Sequence, residues 1–287
     1  MNYFFTFLFM ILFHQSYGQI SSNFYTLSDT IRENISLIYL TRYDTGYSFS
    51  DKNLKYVKEV DITQYKLNHY PRELCSIDSL EKIIICHSNL MEIPTCIGNY
   101  SKLYDLNLHN NQISLLPKEL FNASKIERLI LSFNSIKTVP NEINNLYKLI
   151  ELDLTGNLIE NWSFLKYTPN LKHFGMGYYN LKMLPEEINY LQNLKSLYLG
   201  YNPKIDQKKV LEFLVNSKLD SLESIDFEFC KLGNINTNLI LQLKSLKTIN
   251  LVGNRFSKRK QKQIKNTLKG CNLIFNSEPM KSPPYYL

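Results

Sequence analysis

The chain has 287 residues, of which 44% are hydrophobic, and its formal net charge is +7. This length corresponds to one or two ordinary domains, and the excess of positive charge is modest. The five cysteines are odd in number and irregularly spaced, which excludes a disulfide framework and a zinc site. We interpret them as small buried hydrophobes, with a bridge between Cys75 and Cys96 as the alternative.

Residues 1–18 have the features of a secretory signal peptide. The apolar run Phe4–Phe13 has the length of a signal core, and Ser16 and Gly18 are the small residues that precede a cleavage site. The run is too short for a membrane-spanning helix, and no other stretch is apolar enough to be one. We expect cleavage before Gln19 and a mature protein that is secreted, periplasmic or at the cell surface. If the segment is retained, the alternative is an intracellular signalling scaffold.

Residues 19–56 precede the regular part of the chain, and we expect them to form an N-terminal cap with a helix and a loop. A capping box, Thr30-x-x-Glu33, begins the predicted helix. Isoleucines follow at helical spacing, namely Ile31, Ile35 and Ile38. Such a cap would cover the first hydrophobic face of the repeats that come next.

A pattern of 23 residues recurs, with small variations in length, from residue 57 to residue 275. Positions 1, 4 and 6 are apolar in each copy, an alternation typical of a short strand with one buried face. A fixed period in this range predicts a solenoid, and the nine copies exceed the roughly three that a continuous core needs. The copies begin at Val57, Leu80, Leu103, Ile126, Leu149, Leu171, Leu194, Leu222 and Leu246.

Position 9 of the repeat is asparagine in five copies. A buried amide there can bond the backbone of its own turn and of the next coil, so that these peptide groups are not left unpaired. Cys230 holds this position in another copy and can do the same weakly. Tyr65, Ser88 and Tyr179 also hold it, and we expect either local looseness or altered stacking at these three positions. The predicted structural asparagine ladder is Asn111, Asn134, Asn157, Asn202 and Asn254.

On the return side of the repeat, an apolar residue followed by proline turns the chain in most copies. Proline fixes φ and gives up a donor that no ladder needs there. Two of the copies without proline are the most irregular. The fifth has Trp162 near the place of the proline, and the seventh has a helical segment, residues 210–216, preceded by Asp206.

The C-terminal end of the chain is predicted to close the solenoid. Residues 258–275 form a cap, a helix that ends at Gly270 followed by one strand, and residues 276–287 form a disordered tail. The segment Lys258–Lys269 concentrates positive charge. We interpret it as a solvated helix face, with weak contact to an anionic surface as the alternative.

These residues together resemble the leucine-rich repeat superfamily in its form LxxLxLxxNxLxxLPxxIxxLxxL. This form is similar to Scribble-like repeats and to plant intracellular Ras-group repeats, and such units also occur in exported bacterial proteins. The resemblance covers residues 57–275. It implies an α/β solenoid, a horseshoe with a parallel β-sheet on its concave face and short helices, 3-10 turns and loops on the convex side. It also implies binding, usually of protein, through the concave face, and no catalytic activity.

Aromatic and acidic side chains are predicted to lie on that face, since positions 3, 5, 7 and 8 point away from the buried leucines. Rigid exposed aromatics make good anchors for a partner. The alternative is packing between neighbouring rungs, which stabilises a sheet by itself. An acidic ladder on the same face would favour a partner with basic residues. Its members are Glu59, Asp61, Asp105, Glu151, Asp153, Asp226 and Glu228. The candidate partner-binding residues are Phe133, Asp153, Tyr178, Tyr198, Tyr201, Asp226 and Phe229.

The sequence contains no pattern of catalytic, metal-ligating or cofactor-binding residues. We therefore expect no catalytic site, no metal, no cofactor and no nucleic-acid partner. The leading hypothesis is an exported, non-catalytic module that binds a protein of unknown identity. Surface adhesion, through binding to glycan or envelope, is the rival hypothesis.

Overall fold

The computed structural model describes residues 37–41, 57–64 and 67–276. Within these residues the chain forms one sheet of eleven parallel strands, which lie side by side in chain order. The strands are β1 (Leu37–Thr41), β2 (Glu59–Thr63), β3 (Lys82–Cys86), β4 (Asp105–Asn107), β5 (Arg128–Ile130), β6 (Glu151–Asp153), β7 (His173–Gly175), β8 (Ser196–Tyr198), β9 (Ser224–Asp226), β10 (Thr248–Asn250) and β11 (Asn272–Ile274).

The strands β2 to β10 each begin at position 3 of a predicted repeat. Neighbouring strands pair in register, so that Leu106 on β4 lies beside Ile83 on one side and Leu129 on the other. All three side chains are buried. Burial of such a side chain stabilises a fold by about 1.5–3 kcal/mol, and stacking the rungs makes this burial continuous along the array.

Short 3-10 helices return the chain on the convex side, opposite the sheet. The helices Arg72–Ser76, Thr95–Asn99, Lys118–Asn122, Asn141–Asn145 and Glu186–Tyr190 each follow a proline. Each helix also buries one central aliphatic side chain against the sheet. The prolines therefore set the direction in which the chain enters the return segment.

The fifth repeat returns without proline through the 3-10 helix Ser163–Tyr167, which Trp162 precedes. The indole is buried and contacts rings from three places, with centroid distances of 6.1 Å to Phe164, 6.0 Å to Phe174 and 5.1 Å to Tyr179. This aromatic cluster takes the place of the proline turn in the core.

Three α-helices replace the 3-10 helices towards the C-terminus: α1 (Gln207–Asn216), α2 (Thr237–Ile240) and α3 (Lys258–Thr267). The predicted helix over residues 210–216 is confirmed as α1, where the Asp206 side chain accepts from the backbone N–H groups of Lys208 and Lys209. Helix α3 ends three residues before the predicted Gly270.

The strand β1 contradicts part of the predicted N-terminal cap. Ile38 was assigned to a helix, but it lies in β1 and pairs with Val60 of β2. All five residues of β1 pair in register with β2, so the sheet begins at least one rung before Val57. At Ile38 the spacing of the isoleucines predicts the wrong conformation. Pairing with a neighbouring parallel strand decides the conformation of a short apolar run.

The cysteines divide into two groups. Cys86 and Cys230 are buried hydrophobes, as predicted. The same interpretation is wrong for Cys75 and Cys96, which form a disulfide with a Cα–Cα distance of 5.6 Å. They lie on consecutive 3-10 helices of the convex side and are half-buried, since the inward positions belong to neighbouring aliphatic residues.

Several predictions concern parts of the chain outside the described residues. These are the signal peptide 1–18, the cap segments 19–36 and 42–56, Tyr65, and the tail from residue 277 onward. Among the helices of the described part, none has the length and apolar character needed to cross a membrane.

Candidate binding surface on the concave face

A turn follows each strand and is held by the residue at position 9. The Asn134 Nδ2 donates to the carbonyls of Leu108 and Leu131, both at 2.9 Å, and its Oδ1 accepts from the Ile113 N–H at 2.9 Å. One amide thus joins its own turn to the preceding coil and pairs backbone groups buried between them. The same arrangement recurs at Asn111, Asn157, Asn202 and Asn254.

Ser88 and Tyr179 alter the contact between coils, which is one of the two predicted outcomes. The Ser88 hydroxyl donates to the carbonyl of Ile62 at 3.1 Å, and the Tyr179 hydroxyl donates to that of Leu154 at 2.6 Å. Both acceptors hold position 6 of the preceding coil, which is also the acceptor for the asparagines. A hydroxyl group that donates to this carbonyl therefore takes the place of the asparagine amide as its hydrogen-bond donor.

The backbone at position 8 is left-handed in all nine repeats, with φ between 48° and 67°. Glycine adopts this conformation freely, whereas other residues in it cost roughly 1–2 kcal/mol. Only two of the nine positions are glycine. Because this conformation recurs in every repeat, it belongs to the turn that follows each strand. Position 8 is held by Gln64, His87, Asn110, Phe133, Gly156, Tyr178, Tyr201, Phe229 and Gly253.

Four of these residues form a continuous strip, which we call the aromatic row: Phe133, Tyr178, Tyr201 and Phe229. Tyr178 stacks on Tyr201 with centroids 4.2 Å apart, and Tyr201 stacks on Phe229 at 4.7 Å. The Phe133 ring meets Tyr178 edge-on at 5.0 Å. Tyr178 is 43% exposed and Phe229 is 44% exposed. The row therefore presents ring surface to solvent along one edge of the sheet.

A glycine makes the row continuous between Phe133 and Tyr178, which lie two repeats apart. Gly156 is the intervening residue, and a Cβ there would lie 2.9 Å from the Cδ1 of Phe133. Phe133 therefore covers the glycine and reaches Tyr178. Gly253 receives the Phe229 ring in the same way at the other end of the row.

Two histidines extend the row towards the N-terminus. His109 lies 5.4 Å from Phe133 and 5.1 Å from His87, in both cases edge to face. Burial lowers the pKa of His109 to about 4, and the Nδ1 atom lies 2.9 Å from the Ser132 hydroxyl. Among the described residues, no group of three histidine, cysteine or acidic side chains is placed to hold a metal ion.

The other predicted partner-binding residues lie deeper on the sheet. Tyr198 is half-buried at position 5 and pairs with Asp226 on the next strand. Asp153 is buried, accepts from the Thr155 N–H at 2.9 Å, and places its carboxylate against Gly175. Tyr198 and Asp226 therefore lie side by side on adjacent strands, while Asp153 is a largely internal group.

Arg128, which the sequence-based prediction of an acidic ladder did not consider, lies between two carboxylates of that ladder. The Arg128 guanidinium lies between Asp105 and Glu151 on adjacent strands, at 2.9 Å and 3.2 Å. Aligning position 3 of consecutive repeats would have revealed this alternation of charge. This part of the sheet therefore supplies its own positive charge.

The carboxylates of Asp226 and Glu228 have only uncharged partners in the part of the chain that the structure describes. Asp226 accepts from the Glu228 backbone N–H and from the Asn250 amide, both at 2.7 Å. The same amide lies 3.2 Å from Glu228. Burial, and then the charge of Glu228, raises the pKa of Asp226 to about 7. Burial also raises the pKa of Glu228.

This raised pKa predicts how stability depends on pH. The folded protein binds the proton of Asp226 more tightly than the unfolded chain does, because the folded pKa is higher. The stabilisation of the folded state by protonated Asp226 is therefore complete below the unfolded pKa of 3.8 and is lost as the pH rises through 7. We expect Asp226→Asn to raise the free energy of unfolding at pH 8 by about 1–3 kcal/mol. This is less than the limit set by about 1.4 kcal/mol for each unit of pKa shift, because the amide keeps only one of the two acceptor oxygens that Asp226 uses. The same variant should have little effect at pH 4. Urea denaturation at both pH values measures this, with the exposed Asp220→Asn as the control. A variant less stable than the parent at pH 8 would refute it.

The repeats of this array match a known protein family. The model of the leucine rich repeat family matches residues 101–159. The chain contains leucine-rich repeats, and its solenoid has the leucine-rich repeat fold. No curated protein matches it.

Solved structures share the leucine-rich repeat fold. A leucine-rich repeat protein of Leptospira interrogans is similar with 24% identity and a TM-score of 0.59, over 78% of this chain and 56% of that one. An internalin of Listeria monocytogenes is similar with 17% identity and a TM-score of 0.58, over 77% of this chain and 63% of the internalin. This chain therefore spans less than two thirds of either protein. The likeness confirms the predicted α/β solenoid with its parallel sheet and horseshoe form.

Proposed function

We propose that this leucine-rich repeat protein is an exported, non-catalytic module whose concave face captures a protein partner. The aromatic row is the observation that carries the proposal. Four rings occupy a left-handed position that disfavours them, and two of them expose more than two fifths of their surface. Aromatic anchors of this kind lose little side-chain entropy when a partner binds.

Packing between rungs leaves part of the ring surface of the row uncovered. Ring stacking contributes about 0.5–1.5 kcal/mol for each pair beyond the gain from area burial, and the left-handed backbone at position 8 offsets part of it. Gly156 and Gly253 hold the same position without that cost. The stacked faces therefore stabilise the sheet, while the exposed surface of Tyr178 and Phe229 remains available to a partner.

The disulfide supports export. Bridges such as Cys75–Cys96 persist in oxidising compartments and are rare in the cytosol. This agrees with the predicted signal peptide 1–18 and disfavours the alternative of an intracellular scaffold. We accordingly place the mature protein in the medium, the periplasm or the cell surface.

Capture experiments test the function directly. The double variant Tyr178→Ala/Tyr201→Ala should lose at least tenfold in affinity for captured partner proteins, because it removes the centre of the row. The matched control is Tyr147→Ala/Tyr190→Ala, which removes two tyrosines that are exposed outside the concave face. Affinity capture from the secreted and surface fractions, read by mass spectrometry, gives the result. Equal capture by both double variants would refute the proposal, provided that their melting temperatures match.

The rival function, adhesion to an anionic envelope surface, is favoured by helix α3. Its cations Lys258, Arg259, Lys260, Lys262 and Lys265 form no ion pair within the described residues. Binding through α3 would weaken steeply with added salt, whereas capture through the aromatic row would change little.

A further inference from the structure

The C-terminal half of the aromatic row adjoins the carboxylates of Asp226 and Glu228. The Glu228 side chain lies over Gly200, where a Cβ would be 2.8 Å from its Cγ. Glycine at this place lets Glu228 approach the base of Tyr201. Burial, and then the nearby Glu228 charge, raises the pKa of Tyr201 to about 12. Ring surface and negative charge therefore meet in one corner of the concave face, formed by Tyr198, Tyr201, Asp226, Glu228 and Phe229.

The chain itself shows how such carboxylates are satisfied elsewhere on the same sheet. The Arg128 guanidinium joins Asp105 to Glu151 across two strands. Asp226 and Glu228 have no cation within 4.0 Å among the described residues, and the Asn250 amide is shared between them. The corner thus resembles the Arg128 site without its arginine.

The chemistry of the corner selects among possible occupants. A guanidinium is planar and donates hydrogen bonds from a fixed fork, so one group can join two carboxylates, as Arg128 does on the same sheet. An ammonium satisfies the charge, but it is a strongly hydrated point charge without a flat face. A neutral side chain would leave both carboxylates without a counter-charge. Charge and shape together therefore fit a guanidinium best.

We propose that this corner receives an arginine side chain of the partner protein, whose guanidinium binds Asp226 and Glu228 beside the edge of the Tyr201 ring. The proposal rests on the proposed function, capture of a protein on the concave face. It names the chemistry of the partner, a segment that presents an exposed arginine next to apolar residues for the aromatic row. Charge complementarity is the argument for this occupant.

The test uses N-acetyl-arginine amide as the probe and N-acetyl-citrulline amide as its neutral isostere. Signals of the Tyr201 and Tyr178 rings are followed by NMR on the full chain. We expect the arginine probe to shift these signals with a dissociation constant on the order of 10 mM, and the citrulline probe to leave them unchanged. Equal shifts with both probes, or none with arginine up to about 100 mM, would overturn the proposal.

Variants localise the effect. Asp226→Asn/Glu228→Gln keeps acceptor oxygens for Asn250 and should weaken arginine binding at least tenfold. Glu142→Gln/Glu160→Gln changes the net charge equally at two exposed positions and should bind like the parent. Arginine binding that persists in Asp226→Asn/Glu228→Gln, or that weakens equally in both double variants, would overturn the proposal. If the first pair fails to fold, Glu228→Gln alone gives the same reading.

The outcome is distinguishable from failure of the proposed function, because the probes need no natural partner. If arginine binds but capture does not depend on Tyr178 and Tyr201, the proposed function fails. If capture depends on these tyrosines but citrulline binds as well as arginine, only the present inference fails.

Discussion

Replacing Asn134 by alanine is expected to lower the free energy of unfolding by about 3–5 kcal/mol. The change removes an amide that bonds the carbonyls of Leu108 and Leu131 and the N–H of Ile113. Each buried backbone group left without a partner costs about 1–3 kcal/mol. The loss falls at the joint between two coils in the middle of the array, where stability depends on contacts between neighbours. Chemical denaturation followed by circular dichroism measures it.

The control for this variant is Asn145→Ala, which removes an exposed asparagine on the convex side of the same repeat. A change within about 0.5 kcal/mol is expected there, as for most surface substitutions. If Asn134→Ala lowered the free energy of unfolding as little as Asn145→Ala does, the asparagine ladder would not be what holds the coils together.

Removing the disulfide by Cys75→Ser/Cys96→Ser is expected to cost about 3 kcal/mol. The bridge closes a loop between residues 21 apart, and closing a loop of this length restricts the unfolded chain by about that amount. The two cysteines are only half-buried, so the serine side chains add little penalty of their own. Thermal or chemical unfolding of the oxidised protein and the double variant gives the difference.

A reductant provides the second arm of this experiment. The parent protein in reductant should fall to the stability of the double variant, while the double variant should not respond. Cys271→Ser, which alters a free and half-buried thiol, is the matched control and should leave the oxidised protein unchanged. A double variant as stable as the oxidised parent would remove the structural support for export.

Much of the array could be predicted from the sequence because each feature depends on one residue type at one position of the coil. Apolar residues recur at the buried positions 4 and 6 of each repeat. Asparagines like Asn134 recur at position 9 with the same period. Left-handed backbone at position 8 also had a signal, since Gly156 and Gly253 are the two copies that adopt it without strain.

Features that depend on contacts between coils were harder to predict. The strand β1 needs its partner β2 to be distinguished from a helix. The link between Cys75 and Cys96 joins positions that are out of register in the repeat, and it follows from how consecutive 3-10 helices stack. At Ser88 and Tyr179 the sequence left looseness and altered stacking open, because only the structure shows their hydroxyls reaching the carbonyl that the amides use.

The candidate surface was predicted in its members but not in its organisation. Phe133, Tyr178, Tyr201 and Phe229 were expected on one face, and the structure joins them into one row. The charge pattern needed the geometry, since Arg128 satisfies one end of the acidic ladder and leaves the other end without a cation.

Photo-crosslinking from the aromatic row tests the central claim most directly. Benzoylphenylalanine in place of Tyr178 should form a covalent adduct with the captured partner on irradiation. The same substitution at Tyr190, an exposed tyrosine on the convex side, should form none. Gel mobility and mass spectrometry read the adduct. A partner that crosslinks from position 190 and not from position 178 would contradict binding through the concave face.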